Sequence, residues 1–190
     1  MTGMESALLA ASSESSASAI REIVAKFGIH DIVSVTNGME ARRRMVERSF
    51  DLLVVNAPLP DEYGEALARD VSAGYRTQVL LLVRENAGEI AYKMEQCGVF
   101  TLERPINRVV FLNVLKMINA SHHKLMQLYD ERERLKGRLE DMKLIGLAKC
   151  LLIERLYYTE ESAHKKIEKI AMNERKSKAQ VAREIIEKYR

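Results

Sequence analysis

A doubly wound α/β domain followed by an all-helical tail is the fold this sequence predicts, on three observations. Up to about Ile118, short apolar and partly β-branched runs alternate with stretches of helical spacing. A seven-residue apolar repeat begins at Phe111. After Pro105 no proline recurs, and Gly137 and Gly146 are the only glycines, so nothing punctuates a long helical segment.

The elements follow in order. ALLAA (Ala7 to Ala11), DIVSV (Asp31 to Val35), DLLVV (Asp51 to Val55), QVLLLV (Gln78 to Val83) and VFTL (Val99 to Leu102) read as five strands. Between them, Ile20, Ile23, Val24 and Phe27 fall on one helical face, as do Ala41, Met45 and Val46, and Ile90, Met94 and Cys97. Asn37-Gly38, Tyr63-Gly64 and Cys97-Gly98 separate the elements. Strands alternating with helices at this pitch imply a five-stranded parallel sheet covered on both faces. The heptad repeat places Phe111, Ile118, Leu125, Arg132 and Leu139 at one position and Val114, Ser121, Leu128, Leu135 and Met142 at the other. Such a narrow stripe, flanked by DERERLKGR (Asp130 to Arg138), predicts a coiled-coil dimer with Ile118, Leu125, Leu128, Leu135 and Leu139 in its seam. A long helix lying back on its own sheet is the alternative.

Beyond Leu139 three further stripes predict three helices that bury their faces together. They are Leu144, Leu147, Ala148, Leu151 and Leu152; then Ala163, Ile167, Ile170 and Ala171; then Val181, Ala182, Ile185 and Ile186. Thr159 stands at an N-cap position with Glu160 and Glu161 behind it, and Ser177 with Gln180 makes a capping box. The expected domains are 1–120, a linker helix over 121–138, and 139–190.

With 190 residues, 47% hydrophobic and 30% charged, the chain has room for one ordinary domain and a smaller module. ALLAA is too short for a membrane span and lacks a basic flank, so a cytoplasmic protein is expected. Cys97 and Cys150 have no CxxC partner, and His30, His122, His123 and His164 form no ligand spacing. The adjacent His122 and His123 read as surface histidines. No cofactor, metal or catalytic constellation is expected, and hence no enzyme. The net charge is only +3, yet Lys165, Lys166, Lys169, Arg175, Lys176 and Lys178 cluster with only Glu168 and Glu174 opposing them. Lys165 and Lys169 share a helical face, and Lys149 can join them. Such a cluster suits a polyanion; a solvated helix face is the plain alternative. Tyr157 and Tyr158 are candidates to stack on unpaired bases or to lid a core.

Several segments carry a resemblance. TNGMEA (Thr36 to Ala41), Asn56-Ala57-Pro58-Leu59-Pro60 followed by Gly64, and Glu103-Arg104-Pro105 together make the first half resemble the flavodoxin-like receiver domain of bacterial response regulators. A working receiver requires an acidic pair after the first strand to hold Mg²⁺, an aspartate acceptor, a Thr or Ser after the fourth strand and a Lys after the fifth. At the matching positions this chain has Ser12 and Ser13, Asn56, Val83 and Arg104. An amide is a poor nucleophile and a poor ligand for a hard cation, so the resemblance implies a pseudo-receiver that is not phosphorylated. Rebuilding a metal site from Glu14 and Asp61, or deamidating Asn56, is the minor alternative.

The C-terminal third resembles the ANTAR domain, an RNA-binding antiterminator module. Ala148-Lys149-Cys150 matches an Ala-Lys-Gly signature with Cys150 in place of Gly. Glu160-Glu161-Ser162-Ala163, Ala171-Met172, Val181-Ala182 and Ile185 follow in the family's order. The resemblance implies binding to hairpin RNA in nascent transcripts, with Ala148, Lys149 and the basic residues above at the interface, and the coiled coil would make the binder a dimer. With phosphorylation set aside, a regulatory protein partner, a ligand or abundance alone is left as its control. Two other functions stay open: a DNA-binding regulator, against which stands the lack of glycine in Asn173 to Ser177, and an adaptor that binds only protein.

Overall fold

The computed structural model describes residues 3–189, and two compact units divide the chain at 126/127. The first unit contains β1 (Ser6–Ala11), α1 (Glu14–Phe27), β2 (Asp31–Val35), α2 (Gly38–Glu47), β3 (Leu52–Asn56), α3 (Glu65–Gly74), β4 (Gln78–Val83), α4 (Ala87–Glu95), β5 (Phe100–Glu103) and the start of α5 (Arg108–Leu156). The sheet is fully parallel with strand order β2-β1-β3-β4-β5. Strand alternation sorts the side chains between two layers. Leu8, Leu53, Val55, Leu81 and Val83 face α2, α3 and α4. Leu9, Leu52, Val54, Leu80 and Leu82 face α1 and α5. Helix α3, which buries Leu67, Ala68 and Val71, is absent from the stripes named above.

Three expectations are corrected here. Val46, assigned to the buried stripe of α2, is exposed; Ala41 and Met45 alone carry that face. Ile118, expected in an intermolecular seam, is fully buried under the first unit's own sheet with Phe111 and Leu115. The first heptads therefore belong to the fold, as in the alternative of a helix lying on its sheet. His122, expected on the surface, is only 4% exposed. It lies four residues after Ile118 and continues the stripe Phe111, Leu115, Ile118 along one helical face.

The second unit comprises the remainder of α5, α6 (Glu160–Glu174) and α7 (Lys178–Tyr189). The linker and the first bundle helix are both parts of α5, because a glycine costs a helix only about 1 kcal/mol and Gly137 and Gly146 cannot end it alone. Ala148, Leu152, Ala163, Ile167, Val181, Ala182 and Ile185 form the bundle core. Both expected caps are present. Thr159 Oγ1 accepts from Ser162 N at 3.2 Å, and Ser177 and Gln180 exchange bonds of 2.8 and 3.1 Å.

Candidate nucleic-acid interface and degenerate acceptor site

At the carboxyl edge of the sheet, β3 ends on Asn56, which is 2% exposed and aligned with Ala11 of β1 and Leu82 of β4. Its Oδ1 accepts no hydrogen bond among the described residues. Ser13 serves as the N-cap of α1, accepting from Ser16 N at 3.3 Å, while Ser12 is exposed. A serine directly before the helical stretch is the N-cap signal for this end of α1. Val83 is fully buried. Arg104 donates its N–H to Val83 O at 2.8 Å and precedes Pro105 through a cis peptide; Ala57–Pro58 is also cis.

The carboxylates around this edge have other partners. Asp61 accepts from Gly38 N and Met39 N at 2.8 and 2.9 Å, and these bonds to the start of α2 hold its pKa below the ordinary value. Glu62 pairs with Arg42, and Glu14 lies 3.8 Å from Arg21. Asn56, Ser12, Ser13, Val83 and Arg104 thus converge on one sheet edge with no carboxylate at the acceptor position.

In the second unit the expected contact residues divide into three groups. Ala148 is fully buried in the bundle core, so its side chain is packing and cannot touch a ligand. Four cations are paired: Lys149 with Glu160 at 2.9 Å, Lys165 with Glu161, Lys176 with Glu174 and Glu184, and Lys178 with Glu168. Lys149 and Lys178 in turn hold the carboxyls of Glu160 and Glu168 below their usual range. Lys166, Lys169 and Arg175 are exposed and make no ion pair among the described residues. Arg175 closes α6 in the left-handed region at φ 53, where its N–H meets the carbonyls of Ala171 and Met172. The turn into α7 is therefore tight without a glycine, which removes the turn argument against a helix-turn-helix.

The tyrosines also part company. Tyr158 packs against the bundle core, whereas Tyr157 is 92% exposed at φ 56. Of the seam, Leu125 is half-buried, and Leu128, Leu135, Leu139 and Met142 are each more than half exposed.

These two units have separate likenesses. Residues 133–186 match the ANTAR domain, so the chain carries an ANTAR domain in its second unit. The sheet unit has the receiver fold. A signal receiver domain of an HD domain-containing protein from Pseudomonas fluorescens Pf-5 superposes with a TM-score of 0.58 at 21% identity, covering 70% of this chain and 96% of that one. A CheY-like response regulator receiver domain from Methylobacillus flagellatus gives 0.52 at 22% identity, over 60% and 98%. The chain thus joins a receiver fold to a segment that matches the ANTAR domain. The chain is similar in particular to the transcriptional regulatory protein PdtaR of Mycobacterium tuberculosis H37Rv, at 22% identity over 169 residues, 88% of this chain and 82% of that protein.

Proposed function

We propose that this protein is a cytoplasmic RNA-binding transcription antiterminator that acts as a homodimer on hairpin RNA, acts by binding and not by catalysis, and is not controlled by aspartyl phosphorylation. The observation that carries the reading is the ANTAR match over residues 133–186, joined to the free cations of that unit. Lys166, Lys169 and Arg175 offer charge to phosphates, and the paired Lys149, Lys165, Lys176 and Lys178 can exchange weak exposed partners for RNA. Tyr157 presents an open aromatic face to an unpaired base. Among the described residues no helix is long and apolar enough to cross a membrane.

Loss of phosphorylation follows from Asn56, whose amide cannot form the acyl phosphate that a carboxylate forms. The full-length protein incubated with acetyl phosphate and Mg²⁺ should show no stoichiometric phosphate adduct by intact-mass spectrometry. An adduct at Asn56, after deamidation or otherwise, overturns this part of the reading.

Binding of the full chain to hairpin RNA and to duplex DNA across a salt series tests the remainder. Hairpin RNA should bind more tightly, with log affinity falling against log salt by roughly 0.7 to 0.9 per phosphate contacted. Lys166→Ala and Lys169→Ala should each reduce the slope by about one contact and leave the fold intact. Preference for duplex DNA would favour the helix-turn-helix alternative, which the tight turn at Arg175 allows.

A further inference from the structure

The carboxyl edge of a parallel sheet is where open α/β folds take their ligands, because strand ends and loops converge there to form a crevice. In this protein that edge carries unneutralised positive charge. Along β4 and β5 the aligned pairs Leu82 with Leu102 and Val83 with Glu103 are followed by Arg84 and Arg104. These two arginines line one recess of about 400 Å³, together with Glu85 and Pro105. Neither arginine makes an ion pair within 4 Å among the described residues. Burial, and then the nearby positive charge of Arg84, hold the pKa of Arg104 below its ordinary value. The two guanidiniums thus share one recess and carry like charge, with the Glu85 carboxylate beside them but in no ion pair with either among the described residues.

The carboxylates of the neighbouring strand ends and loops are engaged elsewhere. Asp61 is spent on the start of α2, Glu62 on Arg42, and Glu14 faces Arg21. Asn56, at the end of the adjacent β3, is neutral. A recess lined by Leu102, Glu103, Asn107 and Val110 adjoins this one and shares Arg104 and Pro105, adding apolar surface and a second carboxylate beside the charge.

We propose that Arg84 and Arg104 form a non-covalent site for a phosphate dianion, free or as the monoester of a small molecule. Guanidinium groups suit this ligand because each presents a planar fork of donors that matches two phosphate oxygens. A ligand here would relieve the repulsion between the arginines and so stabilise the first unit. No bond is made or broken; the anion is held by charge and hydrogen bonds alone.

Thermal unfolding of the full-length protein, with and without ligand at constant ionic strength, tests the site. Inorganic phosphate and phenyl phosphate are the two probes, with chloride as the control. Phosphate should raise the melting temperature saturably, following the mass-action relation between ligand concentration and dissociation constant. Arg84→Gln and Arg104→Gln should each weaken binding by about tenfold, and ligand-free melting should not fall, since each substitution removes like-charge repulsion. Glu85→Gln should tighten binding. Tighter binding of phenyl phosphate identifies a monoester using the apolar recess, and equal binding identifies free phosphate; both support the site. Absence of saturable stabilisation, or stabilisation unchanged in Arg84→Gln and Arg104→Gln, overturns it. Backbone amide shifts on phosphate titration give a second readout: saturable changes around Arg84 and Arg104 support the site, and changes confined to residues 127–190 sink it.

Discussion

Two buried polar side chains mark the two ends of the sheet, and each has a different consequence. Asn56 occupies the carboxyl end and is a neutral amide with its Oδ1 unpartnered among the described residues. His122 occupies the other end, with Nε2 3.9 Å from Asp51 Oδ1 and Nδ1 unpartnered among the described residues. Burial lowers its pKa from 6.5; the Asp51 carboxylate pulls it back up and His123 pushes it further down. For Asp51 itself, burial pushes the pKa up, but bonds from Glu5 N, Ser6 N and Ser6 Oγ outweigh it and the net shift is downward. A histidine whose folded pKa is lowered stabilises the fold while neutral, so its contribution is complete above the unfolded value and is lost as pH falls below it. The first unit should therefore lose stability as pH drops through 6.5. Urea unfolding at a series of pH values should show this slope, and His122→Phe should flatten it. Asp51 adds a second loss as pH falls from 3.8 toward its lower folded value, and His122→Phe leaves most of it in place because the bonds from Glu5 and Ser6 remain. A slope in the histidine range that survives the substitution would assign it to another group.

At the scale of elements, α5 serves two cores through two separate apolar stripes. Phe111, Leu115 and Ile118 close the first unit, and Ala148 and Leu152 close the second. Between them the stripe of Leu128, Leu135 and Leu139 is left in water. Ile118→Ala should cost the first unit about 2–5 kcal/mol, the range for a fully buried aliphatic side chain. Gly137→Ala should instead stabilise the helix by about 1 kcal/mol, because nothing lies within 4 Å of the added methyl group. Denaturant titration of the two variants separates a core position from a surface one. The same contrast explains what was legible in the sequence. Strands β2 and β4 match their runs residue for residue; β4 is buried throughout and reads as an almost unbroken hydrophobic stretch, whereas β2 is an edge strand of which only Val35 is buried, and its β-branched residues marked it. The heptad was also legible, but periodicity does not name the partner: an intramolecular sheet and a second chain both demand the same stripe. Burial of His122 followed from its spacing after Ile118 and was obscured by residue type. The basic cluster was visible as composition, whereas the pairing of Lys149, Lys165, Lys176 and Lys178 depends on which carboxylates the fold brings near. Ala148 shows that a family signature can mark packing as well as contact.

For the whole molecule, the exposed stripe and the ANTAR domain become one argument. An unpaired row of Leu128, Leu135, Leu139 and Met142 is stable in water when a second copy covers it, though Arg132 and Gly137 within the same stretch make that coil weak by itself. A weak coil has a use if RNA completes it. Each chain contributes one ANTAR domain, so a dimer presents two, and an RNA with two hairpins binds the second at the effective concentration set by the first. By linkage such an RNA also strengthens the dimer. The double variant Leu128→Lys/Leu135→Lys keeps good helix formers at both positions while setting like charges against each other across the seam. It should sediment as a monomer at concentrations where the parent protein is a dimer. Its affinity for a two-hairpin RNA should fall by about a hundredfold or more, and its affinity for a single hairpin should be unchanged. An equal fall for both RNAs would mean that the substitutions damage the RNA-binding surface itself. An unchanged affinity for both would mean that the two domains bind independently and that the seam has another purpose.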